Sequence, residues 1–131
     1  MMRAVHVAFF LCLLLITQPA VGRIDVARRP AGSYCGDYLG VVKGRISTGA
    51  ARDTFDIWLD AFGDKYSCKK EKYTFDERTN QMTVVGATDP KDCLGKILIK
   101  NGLSLTVSYS PKEDVLDLDL GIVRLQLTAC A

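Results

Sequence analysis

Apolar and polar residues alternate with period two over much of the chain. Phe55, Ile57, Leu59 and Ala61 take every second place, with Asp56, Trp58 and Asp60 between them. Leu103, Leu105, Val107 and Tyr109 do the same around Ser104, Thr106 and Ser108. After the turn-like stretch SPKED, Leu116, Leu118 and Leu120 alternate with Asp117 and Asp119. Side chains of a strand point to opposite faces in turn, so each run predicts a strand with one face on a core. Weaker runs add to these. Tyr38 to Ser47 carries Val41, Val42 and Ile46 but also Gly40 and Gly44, which predicts one strand with bends. Tyr66 to Phe75 is more polar, marked by Cys68, Tyr73 and Phe75. The turn DERTNQ then leads to Met82, Val84 and Val85, completing a hairpin.

The period changes in one place. Asp89-Pro90 has the form of an N-cap followed by proline at the first helical position. Leu94, Ile97 and Leu98 have helical spacing, and Asn101-Gly102 is a stop signal. A helix from Pro90 to about Lys100 is predicted, with a strand over 96–99 and an Asn-Gly hairpin as the rival. The apolar phase also slips by one residue between Leu120 and Val123. A β-bulge in one long bent strand accounts for this better than a tight Gly121-Ile122 turn, because isoleucine is a poor residue for an exposed tip. Counting alternating runs gives about seven strands. The fold class expected is mainly β: a single small antiparallel meander closing toward a barrel, with one short α-helix near residues 90–100.

The first residues do not belong to this pattern. Arg3 precedes the apolar run Val7 to Ile16, and Ala20-Val21-Gly22 has the small-x-small form of a cleavage site. Residues 1–22 therefore read as a secretory signal peptide, too short in its apolar part to span a bilayer. Residues 23–33, RIDVARRPAGS, read as a flexible N-terminal arm, and 34–131 as a single β-rich domain. A secreted, extracellular protein with no transmembrane segment after cleavage is expected.

Export changes the reading of the cysteines. Of five, Cys12 leaves with the leader, and Cys35, Cys68, Cys93 and Cys130 remain. An even set in an oxidising compartment predicts two disulfides. Zinc would call for close Cys-x-x-Cys pairs, which are absent. Of the three connectivities, Cys35–Cys68 with Cys93–Cys130 is favoured, since each bond then ties one half of the chain together.

Candidate chemistry is sparse. The single histidine is His6, inside the leader. The domain therefore lacks imidazole, which removes Ser-His-Asp and Cys-His mechanisms and histidine metal sites. Positive and negative side chains nearly balance, so no nucleic-acid partner is implied. No cofactor, metal or catalytic residue is assigned. The Gly-to-Trp signature of lipocalin-type barrels is absent, since Gly40 is followed by Val41-Val42. Binding candidates are Trp58, the sole tryptophan, and the group Lys69, Lys70, Lys72 and Tyr73. Asp117 and Asp119 share a face and read as solvated, paired with lysines and Arg124. The function expected is a secreted non-catalytic binding module that recognises a protein partner or carries a small apolar ligand. The alternatives are an inhibitor or host-directed effector using loop 47–53 or 76–81, and a small carboxylate-dependent hydrolase.

Overall fold

A computed structural model describes residues 29–49, 51–61 and 63–130 of the chain. Residues 1–22, expected to be a signal peptide, and residues 23–28 of the expected arm lie outside the described residues. Eight strands form a closed barrel in sequence order: β1 Ser33–Tyr38, β2 Val42–Thr48, β3 Thr54–Ala61, β4 Asp64–Asp76, β5 Gln81–Val84, β6 Thr106–Ser110, β7 Val115–Asp119 and β8 Arg124–Ala129. Every neighbouring pair is antiparallel, and β1 closes the barrel on β8 through Tyr34 opposite Ala129 and Cys35 opposite Thr128. One helix, α1 (Cys93–Lys100), lies between β5 and β6.

Two runs read as single strands each fold back on themselves. Tyr38–Ser47 is not one bent strand, because the chain turns at 39–41 and Tyr38 pairs with Val42. Residues 116–127 are not one bulged strand either. Asp119 pairs with Arg124, the Leu120 N–H donates to the Val123 carbonyl at 2.9 Å, and Gly121 adopts φ +95°. The phase slip is the Gly-Ile turn. Ile122 stands 65% exposed at the tip and borders a concavity with Tyr66, Asn101 and Leu103 at the barrel end.

The alternating apolar residues fill the interior. Tyr34, Ile46, Phe55, Ile57, Val107, Leu116, Leu118, Leu125 and Leu127 belong to one contiguous core. An eight-stranded barrel is just wide enough for side chains to fill it. Gly36 and Gly44 face each other across β1 and β2. A Cβ on Gly36 would stand 2.2 Å from the Gln126 carbonyl oxygen of β8. Part of the expected arm is tied down as well. Arg29 forms an ion pair with Asp53, and its guanidinium lies 5.7 Å from the Tyr73 ring centre and 5.9 Å from that of Phe75.

The helix begins three residues later than predicted. Asp89 Oδ1 accepts from the Lys91 N–H in a turn, and Pro90 lies in that turn. The true N-cap is Asp92, whose carboxylate accepts from Leu94 N at 3.0 Å and Gly95 N at 3.1 Å, satisfying donors that the first turn leaves open. The predicted stop holds. Gly102 adopts φ +66°, Gly102 N donates to the Ile99 carbonyl, and Leu103 N donates to that of Leu98, which together make a Schellman motif. Of the long β4, only Tyr73–Asp76 pairs with β5. The helix packs against β4 and adds Leu94 and Leu98 to the core.

The disulfides are Cys35–Cys130 and Cys68–Cys93, which corrects the pairing by halves. In a closed barrel the first and last strands are neighbours, so the cysteines furthest apart in sequence come to 5.6 Å between Cα atoms. The 95-residue separation is the more stabilising on a loop-entropy basis, about 4–5 kcal/mol against about 3–4 for the 25-residue one. Two disulfides are compatible with an extracellular protein. No helix among the described residues is long and apolar enough to cross a membrane.

Candidate partner-binding surface

The turn between β1 and β2 is built from an unusual residue. Asp37 Oδ1 accepts from the Gly40 N–H at 2.6 Å, and Val41 N donates to the Tyr38 carbonyl at 2.9 Å. The two central residues, Leu39 and Gly40, have φ of +53° and +74°. Both being positive marks a type I′ hairpin turn, where asparagine, aspartate and glycine are the favoured residues. A leucine there strains its Cβ against the backbone, at a cost of about 1–2 kcal/mol. Leu39 is also 80% exposed, so no burial compensates. Tyr38 and Val41 beside it are exposed too.

Next to this tip lies the outer face of β1–β3. Trp58 points outward from β3 and is 37% exposed. Its cross-strand neighbours are Arg45 on β2 and Ser67 on β4. One row nearer the tip, Lys43, Asp60 and Lys65 stand side by side. Trp58, Arg45, Lys43 and Asp37 line a concavity of about 640 Å³, in which Gly36 and Gly44 offer bare backbone. The connectivity of an up-and-down barrel brings the β1–β2 and β7–β8 turns to one end. The C-terminus of α1 reaches that end too, where Asn101 shares a concavity with Ala61 and Asp64. Leu39, Ile99 and Ile122, exposed by 80%, 51% and 65%, therefore belong to the same end.

The lysine group is divided by a β-bulge. Phe55 pairs with Glu71 and Ile57 with Cys68, so Lys69 and Lys70 together oppose Asp56. Lys70 adopts φ +57°, and its N–H donates to Asp56 Oδ1 at 2.9 Å, which satisfies the group that the bulge unpairs. Lys69, Lys70 and Lys72 are exposed on the outer side. Tyr73 turns inward, 5% exposed, with its ring centre 5.8 Å from that of Phe55. It stabilises the core and offers no surface for a ligand. Asp119 bonds the Gly121 N–H and pairs with Arg124 at 3.2 Å, while Asp117 lies opposite Ser108 and Gln126.

The bulge has a second effect. Simple alternation from Cys68 would turn residue 71 outward, whereas the extra residue turns Glu71 inward, 3% exposed. Glu71 Oε2 accepts from the Leu94 N–H at 3.3 Å, and Oε1 has no hydrogen-bond partner among the described residues. A carboxylate oxygen of Glu71 and the sulfurs of Cys68 and Cys93 lie within 4.8 Å of one another. Burial, and then the Asp92 carboxylate beside it, push the Glu71 carboxyl up to about 7, with the Leu94 N–H opposing. Alternation alone hid this residue. The signal that reveals it is the odd step between the apolar marks Cys68 and Tyr73, which requires a bulge between them.

Comparison with known proteins assigns no relative: no family model, no curated protein and no solved structure matches the chain.

Proposed function

We propose that the protein is a secreted, non-catalytic binding module that recognises a protein partner through the β1–β2 turn and the adjoining Trp58 face. The observation that carries this is Leu39, a large apolar side chain held at φ +53° with 80% of its surface in water. Both features cost stability, and strain of this kind is retained where the surroundings use it. The setting suits a protein interface, with exposed Tyr38, Leu39, Val41 and Trp58 amid charges of both signs at Asp37, Lys43, Arg45, Asp60 and Lys65. Mixed sign disfavours a polyanion such as nucleic acid, which selects a continuous basic stripe. The filled core favours this surface over the barrel interior as the binding locus.

The test uses the mature domain as bait in extracellular fluid, compared with Leu39→Asn and Trp58→Ala. A partner retained by the native domain and lost by both variants, with cooperative unfolding preserved, supports the reading. Capture of the same proteins by all three, or a stoichiometric lipid extracted from the purified native domain, overturns it.

A further inference from the structure

The Cys68–Cys93 disulfide is asymmetric. Cys68 lies inside the barrel wall, 2% exposed, whereas Cys93 is the first residue of α1 and is exposed. A thiolate arriving from solvent can therefore reach only one of the two sulfurs. The buried one has an acid beside it. A carboxylate oxygen of Glu71 and the two sulfurs lie within 4.8 Å of one another, and Glu71 Oε1 has no hydrogen-bond partner among the described residues. No second group of three such donors, drawn from cysteine, histidine, aspartate and glutamate, occurs among the described residues. The Cys35–Cys130 bond, with both residues half-buried, has no comparable arrangement and serves as an internal reference.

We propose that Cys68–Cys93 is a thiol-exchanging disulfide, attacked at Cys93 by a small-molecule or protein thiol, with the Glu71 carboxyl protonating Cys68 as it leaves. The incoming thiol first gives its proton to solvent. Its thiolate forms a bond to the Cys93 sulfur, and the Cys68–Cys93 bond breaks with its electron pair on the Cys68 sulfur. The carboxyl proton of Glu71 passes to that sulfur, and the carboxylate is reprotonated from water. The thiol is thereby oxidised to a mixed disulfide on Cys93, and Cys68 is reduced to a thiol. Exchange rates depend on which sulfur is attacked and on how readily the other leaves as an anion. A thiolate expelled into the apolar wall would be disfavoured by burial, so a proton delivered there lowers the barrier. In the reverse step the Cys68 thiol returns its proton to the Glu71 carboxylate, and the Cys68 thiolate attacks the Cys93 sulfur and expels the bound thiol as its thiolate.

Glu71 is suited to hold that proton near neutrality. The titratable group facing it from the helix side is Asp92, and its partner on β3 is the apolar Phe55. Asp92 also caps the helix, so the strands and helix that form the wall hold the acid in place.

The experiment treats the mature protein with reduced glutathione across pH values bracketing neutrality and maps adducts by mass spectrometry. Rates are divided by the thiolate fraction of glutathione. The adduct on Cys93 is expected to form about tenfold or more faster than any on Cys35 or Cys130. The corrected rate should fall as pH rises through about 7, the value to which Glu71 is pushed. Glu71→Gln should lower the rate about tenfold or more and flatten the profile, in keeping with loss of a general acid. Asp92→Asn preserves a good N-cap and should move the fall to lower pH, a change that a purely structural role would not produce. Should Glu71→Gln fail to fold, the native profile and the Asp92→Asn shift decide the matter. Equal reactivity of the two disulfides, attack at Cys68, or a corrected rate without a fall near neutrality overturns the proposal.

Discussion

The Tyr34 hydroxyl donates to Asp114 Oδ1 at 2.8 Å across 80 residues of sequence, joining the first strand to the turn before β7. The Tyr109 hydroxyl donates to the same oxygen at 2.7 Å, and the two rings meet edge to face. Burial, followed by the Asp114 carboxylate, holds the Tyr34 phenol well above the usual tyrosine range. Asp114→Ala removes the shared acceptor, while the Tyr34 hydroxyl keeps the Ala31 carbonyl at 3.1 Å, and should lower stability by roughly 1–3 kcal/mol in urea unfolding. Asp114→Asn keeps an acceptor and tolerates the φ of +57°, so it should cost clearly less. Equal losses would dismiss the shared-acceptor account.

Gly36 and Gly44 face each other but should respond differently to alanine. At Gly36 the new methyl meets a backbone oxygen of Gln126 at 2.2 Å, and backbone cannot move without breaking the closure on β8. At Gly44 the nearest atom is the end of the Leu125 side chain at 2.9 Å, which can rotate aside. Gly36→Ala should cost about 3 kcal/mol or more and Gly44→Ala about 1, within the range of overpacking effects. Thermal unfolding that ranks them in the opposite order contradicts this view of the closure.

Leu39 offers a test of strain that is independent of any partner. Leu39→Asn should raise stability by about 0.5–1 kcal/mol, because asparagine accepts positive φ and no buried contact is lost. A melting temperature below that of the native protein would show that the leucine has a structural role after all.

Glu71 makes stability depend on pH with a definite sign. Its folded value of about 7 lies above the ordinary 4.5. Between these values the folded state holds a proton that the unfolded state has released, so stability falls as pH rises through this window and levels off above it. The size is on the order of 2–4 kcal/mol at one pKa unit per ~1.4 kcal/mol. Glu71→Gln should remove this slope and be more stable than the native protein at mildly alkaline pH. Denaturant midpoints measured across the window give the check; a native midpoint that is flat or rising there refutes the assignment.

The alternating runs by themselves determined that this is a small β protein and which residues face its core. Phe55, Ile57, Leu59, Val107, Leu116 and Leu118 are buried as their period requires, because a strand has only two faces. Asn101-Gly102 likewise marked the helix stop, since glycine readily takes the left-handed turn that ends a helix. These are local properties, set by side-chain period and backbone sterics. What the sequence left open depends on residues meeting across distance. The disulfides follow barrel closure, which makes Cys35 a neighbour of Cys130. Tyr73, an apolar mark of its strand also offered as a binding candidate, is core, and Glu71 turned inward, because one extra residue in the β4 ladder reversed the faces beyond it. Helix capping passed from Asp89 to Asp92, since only Asp92 stands where the first open N–H groups point. Trp58 was a binding candidate whose exposure depended on whether its face would be covered. Tertiary structure decided it, because β3 sits in a closed wall whose inner side is already filled, leaving the alternate side chains to solvent.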